Sequence, residues 1–153
     1  MNDFYKLLDK IKDSLRSNPN VNTVTFGNLM DLDLNKTSMF PLSHMVVSDV
    51  RFSERVMTAS IEILCVDVVD DNRGENQFDD FYSNDNMMDV MNTQLAVGNL
   101  LQSEMRRGQL FTDKFQVLTD VSARPFYDRF ENQLAGWGFT FTIEIPNNNT
   151  SVC

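Results

Sequence analysis

Few residues of this chain have the chemistry of a catalytic centre. His44 is the only histidine, so any serine or cysteine nucleophile activated by an imidazole would have to use it. No nucleophile motif surrounds a Ser or Cys, and His44 opens a strand-like run, which predicts a structural role. The two cysteines, Cys65 and Cys153, are far apart and neither belongs to a CxxC pair. Cys65 lies in an apolar run and is expected to behave as a small buried hydrophobe. Two such cysteines make no disulfide framework, which points to synthesis in a reduced, intracellular setting.

The carboxylates give two patterns to weigh. Asp31, Asp33 and Asn35 imitate the start of a calcium loop, but Lys36 stands where the loop needs Gly and Leu42 where it needs Glu. Asp67, Asp70 and Asp71, with Asp79 and Asp80, have the composition of a two-metal hydrolase site. A small metal-dependent hydrolase using this acidic loop is therefore the alternative reading. Without matching ligand spacing, a solvated acidic surface is the plainer one. Gly136-Trp137-Gly138 lacks the strand-then-helix setting of a phosphate loop. The sequence predicts no catalytic residue, no metal and no cofactor.

Elements able to position chemistry are easier to read. Phe4, Leu7, Leu8, Ile11 and Leu15 form one stripe of a helix over about residues 3–17, ended by Asn18-Pro19-Asn20. Val21 to Phe26 alternates as a short strand, which 30–35 would extend or pair. From Pro41, His44, Val46, Ser48, Val50 and Phe52 alternate with Met45, Val47, Asp49 and Arg51. A long strand over 57–69 follows, apolar on both faces at Leu64-Cys65-Val66, as for a covered central strand. The two runs form a hairpin.

After the long acidic loop, a helix is predicted over about 86–107, with Asp85 as N-cap and Gly108 as C-cap. Its apolar face reads as Met87, Met88, Met91, Leu95, Gly98, Leu101 and Met105. Phe115 to Ser122 reads as a strand broken by Arg124-Pro125, and 126–136 as irregular or a short helical turn. Trp137, Phe139, Phe141, Ile143 and Ile145 then alternate with Gly138, Thr140, Thr142 and Glu144. Trp137 is expected to plug the core. Phe139, Phe141 and Ile143 are expected to pack on the Met91–Leu95 side of the long helix. The fold class is α+β: one antiparallel-dominated β-sheet with an N-terminal helix and a long central helix packed on one face. Residues 1–147 form a single domain and 148–153 a polar tail.

Length and charge narrow the function classes. The chain has 153 residues, enough for one domain with an adequate core. There are 13 Lys and Arg against 22 Asp and Glu, a net charge of −9. That balance opposes a surface that grips phosphate backbones, but not one that surrounds DNA without holding it. No patch interleaves basic and aromatic residues, so sequence-specific nucleic-acid reading is not expected. The charged start MNDFYKLLDKIKDSL does not have the form of a secretion signal. No run approaches the ~18 apolar residues of a membrane span.

The last third carries a family resemblance. The segment ARPFYDRFENQLAGWGFTFTIEIPN at 123–147 resembles the closing hairpin of tail-completion proteins of tailed bacteriophages, the tail-terminator and neck-ring type. FPLSHMVV at 40–47, VDVVD at 66–70, DVMNTQLA at 89–96 and RRG at 106–108 agree with it in order. The resemblance implies a structural virion protein without catalytic residues or cofactor. It implies a homo-oligomeric ring of six or twelve copies at the head–tail junction or tail end, made in the host bacterial cytoplasm. Neighbours would be portal, neck or tail proteins. DNA would pass through the lumen without sequence-specific binding, and no membrane is involved. A monomeric phage assembly adaptor is the remaining alternative. The expected subunit interface comprises Phe78, Phe81 and Tyr82 in the acidic loop, and Arg124, Asp128, Arg129 and Glu131 around the turn before the last strand.

Overall fold

A computed structural model describes residues 2–28, 40–69, 87–107, 115–118, 120–128 and 134–146. The elements are α1 (Asn2–Ser17), β1 (Thr23–Phe26), β2 (Leu42–Phe52), β3 (Val56–Val68), α2 (Met87–Arg107), β4 (Gln116–Val117), β5 (Ser122–Asp128) and β6 (Leu134–Pro146). The strands form one sheet in the order β1-β2-β3-β6-β4, with β5 also paired to β6. Among the described strands, only the β1–β2 pairing is parallel. The protein is thus α+β, with a mostly antiparallel mixed sheet and an N-terminal and a central helix.

Both helices cover one face. Alternation along β3 sends Met57, Ala59, Ile61, Ile63 and Cys65 to that face, all at most 1% exposed. From β6, Phe139, Phe141, Ile143 and Ile145 join them, and α1 contributes Leu7, Ile11 and Leu15. The predicted stripe of α1 is the one it buries. The Ser14 hydroxyl donates to Glu104, tying α1 to α2. Backbone bonds from Asn18 to Leu15 and from Val21 to Asn18 end the helix where Pro19 requires.

Three sequence expectations need correction. The first concerns α2, whose inward residues are Val90, Gln94, Val97, Gly98, Leu101 and Met105. Met88 and Leu95 are exposed, at 69% and 39%. Gly98 fixes this rotation, because a Cβ there would lie 2.0 Å from the Phe139 ring. Four-residue steps back from Gly98 reach Gln94 and Val90, so a buried glutamine disguises the stripe. Phe139, Phe141 and Ile143 are buried as expected, but in a core with Val97, Leu101 and Met105 rather than on a Met91–Leu95 face. Trp137 is half-buried against that core and donates its Nε1–H to the Met91 carbonyl at 2.8 Å.

The second correction lies in β2. The register passes from Val47↔Ile61 to Asp49↔Ser60, leaving Ser48 as an extra residue. This bulge inverts the alternation, so Val50 packs on the same core as Met45 and Val47. The third lies before the last strand. Residues 126–128 and 134–136 are strand, not irregular, and β5 and β6 form an antiparallel hairpin with register Asp128↔Leu134 to Ser122↔Thr140. Pro125 does not break β5, because a strand paired on one side can carry a residue without an N–H. The predicted strand over 115–122 is divided: the step from Val117 to Ser122 faces the shorter step from Ile143 to Thr140 on β6.

Candidate functional site

The face of the sheet away from the helices carries a groove. Its register places His44, Leu64, Gly138 and Arg124 in one row across β2, β3, β6 and β5. Val46, Glu62, Thr140 and Ser122 form the next row. Because Gly138 has no side chain, β6 is low between Leu64 and Arg124. The resulting concavity has a volume of about 340 Å³, with Val46, Leu64 and Phe126 as apolar walls. Glu62 and Arg124 are exposed on strands either side of β6 and bring opposite charges to one surface. Such a surface suits contact with another polypeptide of mixed charge better than with a polyanion.

His44 closes one end of the groove and is only 2% exposed. Its Nε2 lies 3.1 Å from the Gly27 carbonyl oxygen, which can only accept, so Nε2 carries the proton. Nδ1 then accepts from the Thr25 hydroxyl at 2.7 Å. Burial lowers its pKa below 6.5, partly opposed by the bond to Gly27. A hydroxyl at hydrogen-bond distance from an imidazole is the spacing of a nucleophile and its base. Here Nδ1 is bound by Thr25 of β1 and Nε2 by Gly27 just after it, and the residue clamps β1 to β2.

Cys65 is fully buried beneath α1 and α2. Burial pushes its thiol up to about 12, and the Ser43 hydroxyl at 3.7 Å only partly offsets this. It has no thiolate character at neutral pH. Among the described residues, no group of three or more His, Cys, Asp or Glu could hold a metal ion. No helix among them is long and apolar enough to cross a membrane.

Of the expected interface residues, Arg124 stands on the groove wall. Asp128 is the last residue of β5, opposite Leu134, and its side chain lies outside the description. Phe78, Phe81, Tyr82, Arg129 and Glu131 lie outside the described residues, as do Asp31, Asp33, Asn35, Asp70, Asp71, Asp79, Asp80 and Cys153. Glu62, Leu64 and Gly138 were not anticipated as site residues. Their signal was present in the alternation itself, since a polar residue and a Gly recur on the strand positions facing away from the core.

A second concavity, about 310 Å³, lies between α1 and β1. Tyr5, Leu8, Val24, Phe26 and Met45 line it, and the Lys12–Asp9 ion pair of 3.1 Å borders it. Tyr5 and Phe26 are 70% and 60% exposed. Compared with known protein families and with curated proteins, the chain matches none.

Proposed function

We propose that the chain is a structural subunit of a tailed-phage virion, forming a ring of six or twelve copies at the head–tail junction or tail end. The observation that carries this reading is where the resembling segments fall. Of the segment at 123–147, residues 123–128 belong to β5 and 134–146 to β6; 42–47 begin β2, 66–68 end β3, and 89–96 and 106–107 lie in α2. The resemblance therefore runs along the central sheet and its covering helix rather than over scattered surface loops.

Two physical features support the same reading. A ring requires a patch that meets a different patch on the next copy, and the groove with Glu62 and Arg124 offers opposite charges on one exposed face. A net charge of −9 lets DNA phosphates pass without adhering. Portal, neck or tail proteins are then the neighbours, and the virion is the site of action.

Electron microscopy of particles made with and without this chain tests the proposal. The expected result is density for a ring at the head–tail junction or tail end, and tail-less or DNA-leaking particles when the chain is missing. Normal infectious particles lacking the chain would overturn it.

A further inference from the structure

The two covering helices differ on the side away from the sheet. α1 shows solvent a charged face, with Lys6, Asp13 and Arg16 exposed, as expected of a helix that covers a core. α2 does not. Its residues 90–103 carry no charge, in a chain that is 23% charged. Met88, Leu95 and Leu100 are 69%, 39% and 48% exposed. The chain comes to α2 from Val69, which packs with Val90, and leaves it towards Phe115, which lies in the core with Met105. Neither connection has to cross the outer face between those ends.

Met88, Asn92, Leu95, Asn99, Gln102 and Arg106 follow one another at steps of four, three, four, three and four residues. That spacing is the seam of a two-helix coiled coil. All but the half-buried Gln102 are exposed. Gln102 Nε2 donates to Asn99 Oδ1 and Arg106 Nε to Gln102 Oε1, both at 2.9 Å, which orders the polar half of the seam. The steps read the same in both directions. A half-turn at the level of Val97 exchanges Met88 with Arg106, Asn92 with Gln102 and Leu95 with Asn99. Asp89 stands at one end of the face and Arg107 at the other. Their separation of 18 residues is five helical turns, or about 27 Å, so both lie on the same flank of the seam.

We propose that α2 packs antiparallel against α2 of a second copy, about a two-fold axis at the level of Val97. Asp89 of each copy then faces Arg107 of the other, Leu95 meets Asn99 beside the axis, and the helix dipoles oppose. Charge complementarity favours a second copy over a different partner. The occupant must set a base against Asp89, an acid against Arg107 and an uncharged stretch of equal length between them, and α2 itself does so. α2 is also neutral, with Asp89 and Glu104 against Arg106 and Arg107, so two chains of net −9 can meet there without repulsion. A parallel pair would set each arginine against its own counterpart. The asparagines at seam positions fix the register at a cost in affinity. This inference does not rest on the ring proposal.

The test is native mass spectrometry with circular dichroism on the purified full chain, under reducing conditions so that Cys153 cannot cross-link copies. The wild type is expected to give dimers or even-numbered multiples. Leu95→Glu sets two carboxylates beside the axis and is expected to halve the mass with the spectrum unchanged. Charge reversal at exposed positions decides the matter if that variant does not fold. Asp89→Arg alone, and the double variant Arg106→Asp, Arg107→Asp alone, are each expected to weaken self-association about tenfold. Mixed together, these two chains are expected to form a mixed dimer as tight as the wild type, because both ends then carry opposite charges. A wild type that stays monomeric at roughly 100 µM, well above the micromolar range of a weak specific contact, would overturn the inference. So would a folded Leu95→Glu variant that keeps the wild-type mass, or reversed chains that associate no better mixed than apart, even if rings persist in particles.

Discussion

Phe139 and Gly138 are neighbours in sequence and belong to two different surfaces. Phe139 is 3% exposed under α2, with its ring against Gly98. Gly138 forms the floor of an open groove on the other side of the same strand. The difference is general across β3 and β6. One face is closed by two helices and filled with apolar side chains, while the other carries Thr58, Ser60, Glu62, Thr140, Thr142 and Glu144. It is apolar only towards one end, where Phe40, Leu42, Val66 and Leu134 form a smaller cluster. The covered face holds the fold together, and the bare face is available for contact. A change of one residue in position along β6 should therefore move a mutation from one kind of effect to the other.

The largest effect is expected at Phe141, fully buried and opposite Ile61. Phe141→Ala should cost about 3–5 kcal/mol, the usual range for truncating a core aromatic. Thr140→Ala, one residue away on the bare face and exposed, should stay within about 0.5 kcal/mol. Urea melts of both variants measure the contrast. Similar losses at the two positions would break the distinction between the faces.

Alanine in place of two glycines sharpens it. At Gly98 the new Cβ would meet the Phe139 ring at 2.0 Å. Overpacking of this kind costs about 1–3 kcal/mol, against a helix-propensity gain of about 1 kcal/mol. A net loss near 1 kcal/mol is expected for Gly98→Ala. At Gly138 the nearest atom, the Arg124 carbonyl oxygen, is 4.0 Å away, an ordinary contact. Gly138→Ala should be neutral or stabilising by about 0.5 kcal/mol, because Ala loses less backbone freedom. If Gly98→Ala stabilises the protein, the ring of Phe139 does not sit where the packing of α2 requires.

Gln94 is an exception within the covered side. It is fully buried, and among the described residues neither its Nε2 nor its Oε1 has a hydrogen-bond partner. Leaving a buried polar group unpaired costs about 1–3 kcal/mol, and Met has a similar length and helix propensity. Gln94→Met is expected to raise stability by about 1 kcal/mol, seen as a higher thermal midpoint. A drop in stability would show that the amide is satisfied and that this part of the core is less dry than its neighbours.

Legibility in the sequence followed the strength of the period. α1, β3 and the second half of β6 were readable because apolar residues recur without interruption at one spacing. The reading of α2 had the right limits and placed Gly98, Leu101 and Met105 correctly inside, but it put Met88 and Leu95 there too and missed Val90, Gln94 and Val97, since Gln94 at a core position and Leu95 outside it reverse the usual assignment. The phase error in β2 came from Ser48, because a single extra residue leaves no mark in composition. β5 was hidden by Pro125, whose local preference for ending a strand is overridden by long-range pairing to β6. The groove was harder still. Its floor is a glycine of β6 and its walls come from β2, β3 and β5, so only the register brings Arg124, Glu62 and His44 to one surface.

His44 is expected to give the smallest effect, and its direction can be stated in advance. It contacts the groove of the bare face, but at 2% exposure it is as buried as the core. An unfolded chain titrates this imidazole near 6.5, and burial holds the folded value below that. Above 6.5 the ring is neutral in both states and pH has no leverage through it. Below 6.5 the unfolded chain binds the proton first, so stability falls as pH drops towards the folded pKa. Protonation also removes the lone pair on Nδ1 that accepts from Thr25, loosening the clamp on β1. His44→Gln keeps a donor towards the Gly27 carbonyl and cannot titrate. Urea midpoints of wild type and variant between pH 7.5 and 5 should therefore converge as pH falls, with the wild type ahead at neutral pH. Carboxylates titrate in both chains alike and cancel from the difference. Glu62 and Arg124 line the same groove but are exposed and screened by water, so higher salt should leave the convergence in place. A difference that does not change with pH would show that His44 is solvated, and the boundary between the bare face and the buried interior would then have to be drawn inside β2.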